Sequence, residues 1–158
     1  MDQLLTLLKD NARLSVSELA AMAAMSEEDV KSKIAAYEKD GTIRGYQALI
    51  NEELADKNAV TAFIEVKVTP KAERGFDELA NTIMGFDGVE SVYLMSGSFD
   101  LAVTLSGTDY KEIALFVARR LSTLDGVVST STHFLLKKYK DRGVYMDTEI
   151  DERGLIAP

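Results

Sequence analysis

Glu90-Ser91-Val92-Tyr93-Leu94-Met95-Ser96-Gly97-Ser98-Phe99-Asp100-Leu101-Ala102-Val103-Thr104-Leu105 is the stretch on which the fold turns. Both flanks are strand-like, so the centre reads as a hairpin with Gly97-Ser98 at its tip. Glycine supplies the positive φ that a two-residue turn needs. The tip also carries a carboxylate, Asp100, and a core needs neither residue there. Two readings stand at this point: a turn, or a binding loop.

Outward from the hairpin, the sequence repeats. Asp125-Gly126-Val127 matches Asp87-Gly88-Val89 at an offset of 38 residues. At that offset Ile64 falls on Ala102, Leu79 on Val117, Ile83 on Leu121 and Phe86 on Leu124. The strand 90–95 falls on 128–133. Upstream, Ala62, Ile64, Val66 and Val68 alternate with Phe63, Glu65 and Lys67, the period of a strand with one buried face. Pro70 is expected to close it. Phe76, Leu79, Ala80 and Ile83 follow at helical spacing. The module is therefore strand-helix-strand twice: βαββαβ, a ferredoxin-like sheet with two helices on one face. Phe63, Tyr93, Phe99 and Phe134 are the apolar candidates for the other face, which a symmetric partner would cover.

The first fifty residues have another grammar. Leu4, Leu5, Leu7 and Leu8 make a short apolar helix. Ser15 with Glu18, and Ser26 with Asp29, read as capping boxes that start two more helices. Val30, Ile34 and Tyr37 lay one apolar stripe along the third, with Tyr37 read as core, and Gly41 ends it. Thr42–Ile50 reads as a ribbon turning at Arg44-Gly45. Three short helices and a ribbon predict a winged helix-turn-helix whose third helix enters the major groove. The competing reading is a small helical cap. The expected organisation is α+β: a winged helix-turn-helix over 1–50, a linker over 51–59, a ferredoxin-like sensing and oligomerisation domain over 60–140, and an acidic tail over 141–158. Within the tail, Val144-Tyr145-Met146 could add a strand.

Composition narrows the class. Of 158 residues, 46% are hydrophobic, enough for a core, and no apolar run approaches a membrane helix. The start, Met1-Asp2-Gln3-Leu4-Leu5, lacks the marks of a signal peptide. With no cysteine and one histidine, His133, neither disulfides nor a metal site is expected. A soluble cytoplasmic protein without a cofactor and without membrane contact is the expectation. The net charge of −8 argues against indiscriminate binding to nucleic acid, while leaving room for a local basic face.

These residues resemble the Lrp/AsnC, or feast/famine, family of transcription regulators. The likeness rests on Asn11-Ala12-Arg13, Glu18-Leu19-Ala20, Ser26 with Val30 and Ile34, and Gly41-Thr42-Ile43-Arg44-Gly45-Tyr46. It continues through Gly97-Ser98-Phe99-Asp100 and Gly126-Val127, leading to Thr130, Thr132 and Lys137-Lys138. The order of these stretches over about residues 1–140 carries more weight than any one of them. The resemblance implies a regulator that binds double-stranded DNA and responds to a small effector, an amino acid or a related metabolite. It also implies a homodimer through the sheets, often assembled into octamers, with the effector held between dimers. Two positions depart from the family pattern: Ala24 stands where the family has glycine before the third helix, and Lys33 where it often has arginine.

The candidate DNA contacts are Ser26, Lys31, Ser32 and Lys33 on or near the third helix, and Arg44 in the ribbon. For Lys31, Ser32 and Lys33 the competing reading is a solvated helix face. Glu27, Glu28 and Asp29 fill the helix's first turn, and residues 1–50 hold six bases against eight acids, a net −2. Acids there suit the helix dipole but repel phosphate. The candidate effector contacts are Gly97, Ser98, Phe99 and Asp100 in the loop, with Thr130 and Thr132 on the last strand. His133, pointing away from Thr132, reads as a packing or interface residue. No nucleophile-base pair or phosphate loop is present, so no enzyme is expected. The alternative function is an effector-binding co-regulator with a weakened DNA-binding head that acts through mixed oligomers.

Overall fold

The computed structural model describes residues 2–69 and 75–146. Pro70 and residues 147–158 of the acidic tail lie outside the described residues. The chain forms two compact units, divided between Leu49 and Ile50.

The first unit holds α1 (Gln3–Asp10), α2 (Val16–Ala23) and α3 (Glu27–Asp40). Asp2 caps α1 by accepting the Leu4 N–H at 2.9 Å. The expected box at α2 is complete: Ser15 Oγ accepts the Glu18 N–H, and Glu18 accepts the Ser15 N–H at 2.7 Å. The second box is only half formed. Ser26 Oγ accepts the Asp29 N–H and donates to the Asp29 carboxylate at 2.6 Å. Aspartate is one methylene shorter than glutamate, so its carboxylate stops at the hydroxyl instead of reaching the capping amide. Leu4, Leu19, Ala20 and Val30 form the core, with Leu7, Leu8, Ile34 and Tyr37 packed on it.

The expected ribbon over Thr42–Ile50 shows no strand pairing. This segment is held to α3 rather than to itself. The Ile43 N–H donates to the Tyr37 carbonyl at 2.9 Å, and the Tyr46 hydroxyl donates to Glu38 at 2.9 Å.

The second unit begins with a helical turn, α4 (Glu52–Ala55). It continues with β1 (Val60–Val68), α5 (Gly75–Met84), β2 (Val89–Leu94), β3 (Leu101–Gly107), α6 (Tyr110–Phe116) and β4 (Val127–Phe134). The sheet order is β2-β3-β1-β4, every neighbour antiparallel, so each helical crossover skips one strand. This is the ferredoxin-like arrangement that the duplication predicts. Ala62, Ile64, Val66, Leu101, Val103 and Leu105 pack under Leu79, Ile83, Ile113, Val117 and Leu121. α6 runs into a π-helical turn, Val117–Leu121, where the Ser122 N–H reaches the Val117 carbonyl at 2.8 Å.

The repeat holds with one correction. Ile64 corresponds to Leu101, not Ala102: Gly88 and Gly126 match at 38 residues, yet they accept from the N–H groups of Ser106 and Thr69, and Ala102 lies opposite Glu65 and Tyr93 on the other face. The offset is therefore 37 residues in the first strand of each half, where Leu105 beside Val89 matches Val68 beside Val127, and 38 from the helices onward. A one-residue slip exchanges the faces of a strand. From the helices on, the correspondence reaches to the irregularities: β2 and β4 each carry a bulge, with the extra residues Glu90 and Val128 at the same repeat position.

After β4, a small hairpin joins β5 (Lys140–Asp141) to β6 (Val144–Tyr145). Arg142 and Gly143 both have positive φ, 46° and 92°, as a type I′ turn requires. The strand expected near Val144 is present, paired within the C-terminal stretch itself.

Candidate functional site

In the first unit the candidate surface is α3. Val30 is fully buried, Ile34 and Tyr37 are half-buried, and Ser26, Lys31, Ser32 and Lys33 are exposed. At about 100° per residue, Lys31 and Lys33 lie about 160° apart around the helix, with Ser32 between them on the outward side. They flank the solvent face rather than sharing it. The Lys33 ammonium is engaged, donating to the Asp2 carboxylate at 3.1 Å. That hydrogen bond holds the Asp2 carboxyl below its ordinary value, and the same bond raises Lys33. Asp2 also caps α1, so one carboxylate ties the start of the chain to α3. The Arg44 guanidinium folds over Gly41 at the end of α3: a Cβ on that glycine would lie 2.9 Å from Cζ. There a cation meets the negative end of the helix dipole. α3 itself is set by the turn at Ala24, which adopts φ 52°, ψ 46°, the left-handed conformation that glycine takes without a Cβ penalty.

In the second unit the β2–β3 connection is longer than a two-residue turn. The Met95 N–H donates to the Asp100 carbonyl at 2.8 Å, leaving Ser96–Phe99 as a four-residue loop. Gly97 does not have positive φ, and a Cβ placed on it would meet nothing within 4 Å. Neither the turn nor the packing requires glycine there. Asp100 is not a spare carboxylate. Its Oδ2 accepts the Val68 N–H at 2.7 Å, while its own N–H donates to the Val66 carbonyl at 3.0 Å. Val66 and Leu101 are the last pair of the β1–β3 ladder. The carboxylate thus satisfies a donor just past the point where pairing stops.

Thr130 and Thr132 do share a face, as alternation predicts, and it is the face that the helices cover. They lie opposite Val66 and Ile64, and the Thr130 and Ser122 hydroxyls are 3.0 Å apart. Phe134, expected on the open face, is on the helix side too, its ring 4.9 Å from that of Tyr110. The open face carries Phe63, Glu65, Tyr93 and His133. Phe63 meets the Phe99 ring edge-on at 6.1 Å, and His133 Nε2 lies 3.5 Å from the Glu65 carboxylate. Phe63 and Tyr93 are 38% and 56% exposed, a large aromatic surface for a sheet face. Sequence alone pointed to neither Val68 nor Ser122 as a partner, because an N–H at a strand end and a hydroxyl after a helix carry no local pattern.

No described helix is long and apolar enough to cross a membrane. Residues 61–145 match the Lrp/AsnC ligand binding domain. The chain is 45% identical over 156 residues to an uncharacterized HTH-type transcriptional regulator, YugG of Bacillus subtilis, spanning 98% of this chain and 94% of that one. Another such regulator, PH0140 of Pyrococcus horikoshii, is 31% identical over 84% of this chain and 81% of its own. Among solved structures, the transcriptional regulator NMB0573 of Neisseria meningitidis in complex with L-Met superposes with a TM-score of 0.71. It is 26% identical, with 92% of this chain and 94% of that one covered.

Proposed function

Because this chain belongs to the Lrp/AsnC family of transcriptional regulators, we propose that residues 1–50 bind double-stranded DNA and that residues 60–140 sense an amino acid or a related metabolite. The observation that carries this is the extent of the likeness, which runs through helix-turn-helix and sensing fold alike. In this proposal α3 enters the major groove. Ser32 faces the bases, Lys31 and Lys33 flank them towards the phosphates, and Ser26 and Arg44 contact the backbone near the ends of the helix. The few cations make affinity modest, steeply salt-dependent and reliant on several heads acting together.

For the effector, Gly97, Ser98 and Phe99 are the proposed contacts. A glycine that the turn does not require leaves room for close approach to the backbone. Asp100 holds the loop to β1, and Thr130 and Thr132 belong to packing against the helices. The L-Met complex of the Neisseria regulator supports an amino acid as the effector class. Phe63 and Tyr93 favour a homodimer through the open face, assembling further to octamers in the cytoplasm. A Phe63→Glu chain that keeps the native mass in sedimentation would refute that interface.

One observation favours the second reading, a co-regulator with a weakened head. Glu27, Glu28 and Asp29 are all exposed beside the groove-facing positions, and Lys33 is tied to Asp2. A Lys31→Ala, Ser32→Ala double variant separates the two, since it leaves the Lys33–Asp2 link in place. If the head works, the variant loses binding to the upstream region of its own gene at least tenfold while an amino acid still raises its melting midpoint. Unchanged DNA binding would exclude α3 as the reading element.

A further inference from the structure

Beside the start of the second unit lies a cleft of about 330 Å³, a volume suited to a small metabolite. Ile50, Asn51 and Glu52 line it on the α4 side, and Leu135, Lys138 and Met146 on the side of the chain beyond β4. Two hydrogen bonds join the sides. Lys138 Nζ donates to Glu52 Oε2 at 2.9 Å, and Asn51 Nδ2 donates to the Met146 carbonyl at 2.8 Å. None of the loop residues 96–100 contributes to it.

We propose that this cleft is a second small-molecule site, and that it takes a zwitterionic amino acid with an apolar side chain. The lining carries three acids, Glu52, Glu53 and Asp56, against three lysines, Lys57, Lys137 and Lys138. The pair that meets across it, Lys138 and Glu52, is the complement of an α-carboxylate and an α-ammonium on a single carbon. Their side chains remain 28% and 39% exposed, so the pair is weakly held and can exchange partners with a ligand. A purely anionic or cationic ligand would leave one of the two charges without its partner, whereas a zwitterion engages both. Ile50, Leu135 and Met146 give the apolar side chain its surface. A second cleft, about 350 Å³ between the end of β1 and α5, offers Glu78 and Asp125 and no cation among its described lining residues, so these do not show the same complementarity. Occupancy also exchanges the Lys138–Glu52 link, which fastens α4 to the chain beyond β4. The site thus acts on the segment that leads out of the sensing unit.

The ligand class here follows from the charges of the cleft and is independent of the loop proposed above. The test is methyl NMR of the full chain labelled at methionine, since Met146 lines the cleft and Met95 adjoins the loop. L-Leucine and L-methionine are the probes, with 4-methylpentanoate and isoamylamine as analogues lacking one charge each. The Met146 signal should move saturably with an amino acid, and at least tenfold more weakly with either analogue. Lys138→Ala and Glu52→Gln should each weaken that response at least tenfold, and Lys138→Arg should retain it. A Met146 signal unmoved across the panel overturns the proposal, whether or not Met95 responds. Equal affinity in Lys138→Ala, Glu52→Gln and the parent chain overturns it too. A response at Met95 alone would keep the loop and remove the cleft.

Discussion

The Asp100 carboxylate accepts the Val68 backbone N–H at 2.7 Å, across 32 positions of sequence. A half-buried donor at the end of β1 therefore depends on one side chain from the loop. Removing that acceptor leaves the N–H unpaired, which costs about 1–3 kcal/mol. Asp100→Ala should lose that much in urea unfolding. Asp100→Asn keeps a carbonyl oxygen in place and should lose less than about 1 kcal/mol. An alanine variant as stable as the parent would mean that the bond contributes nothing.

Gly97 offers a cleaner probe of the loop, because the fold does not need it. Its φ is not positive and the space around it is open. Gly97→Ala should leave stability unchanged or raise it by about 0.5 kcal/mol, through the entropy of the unfolded chain. If the loop backbone approaches an effector, the same variant should weaken amino-acid binding at least fivefold by calorimetry. Unaltered binding would turn Gly97 back into an ordinary loop residue.

Ala24 holds a left-handed conformation that disfavours any residue with a Cβ, by about 1–2 kcal/mol. Glycine there relieves that strain and returns part of it as entropy lost on folding. Ala24→Gly should therefore stabilise the helix-turn-helix by about 0.5–1 kcal/mol. Chemical denaturation followed by a signal from residues 1–49 measures it. Destabilisation would mean that the alanine methyl packs usefully despite its backbone.

The Asp2–Lys33 link makes the first unit sensitive to pH at both extremes. Asp2 has its carboxyl lowered by Lys33, then by the Leu4 N–H. Its contribution is present above the ordinary carboxylate range, near pH 4, and disappears as pH falls through the depressed value. Lys33 is raised by Asp2, so its contribution is complete below its ordinary value and is lost as pH rises through the elevated one. Between about pH 5 and 9 neither group titrates. A Lys33→Met variant should differ in stability from the parent across that plateau, and the difference should shrink below pH 4. A difference that persists at pH 2 would assign the effect to packing.

What could be read from the chain was local or periodic. The alternation of Ala62 to Val68 fixed the faces of β1, and Ser15 with Glu18 fixed the start of α2, because both signals lie within a few residues. The doubled Asp-Gly-Val gave the sheet topology, yet it misassigned Ala102, since a one-residue difference between the halves leaves no trace in a repeat matched from the helices onward. Thr130 and Thr132 were correctly grouped on one face, but which face depends on pairing with Val66 and Ile64, residues more than sixty positions away. Asp100 looked free because its partner is an N–H exposed only by the end of a neighbouring ladder. The ribbon after α3 failed for a similar reason: the Tyr37 carbonyl, on the preceding helix, takes the Ile43 N–H that a second strand could have paired, and the Tyr46 hydroxyl adds a side-chain tie to Glu38.

The central claim is that α3 reads DNA under the control of an amino acid held by the sensing unit. Fluorescence anisotropy with a labelled duplex from the upstream region of its own gene tests it directly. Titrations would run from low to physiological salt, with and without saturating L-methionine or L-leucine. The account predicts saturable binding at least tenfold tighter than to unrelated duplex, a steep loss with salt, and a shift of at least fivefold with one of the amino acids, about 1 kcal/mol of coupling. Equal affinity for both duplexes at every salt concentration, unmoved by either amino acid, would contradict it.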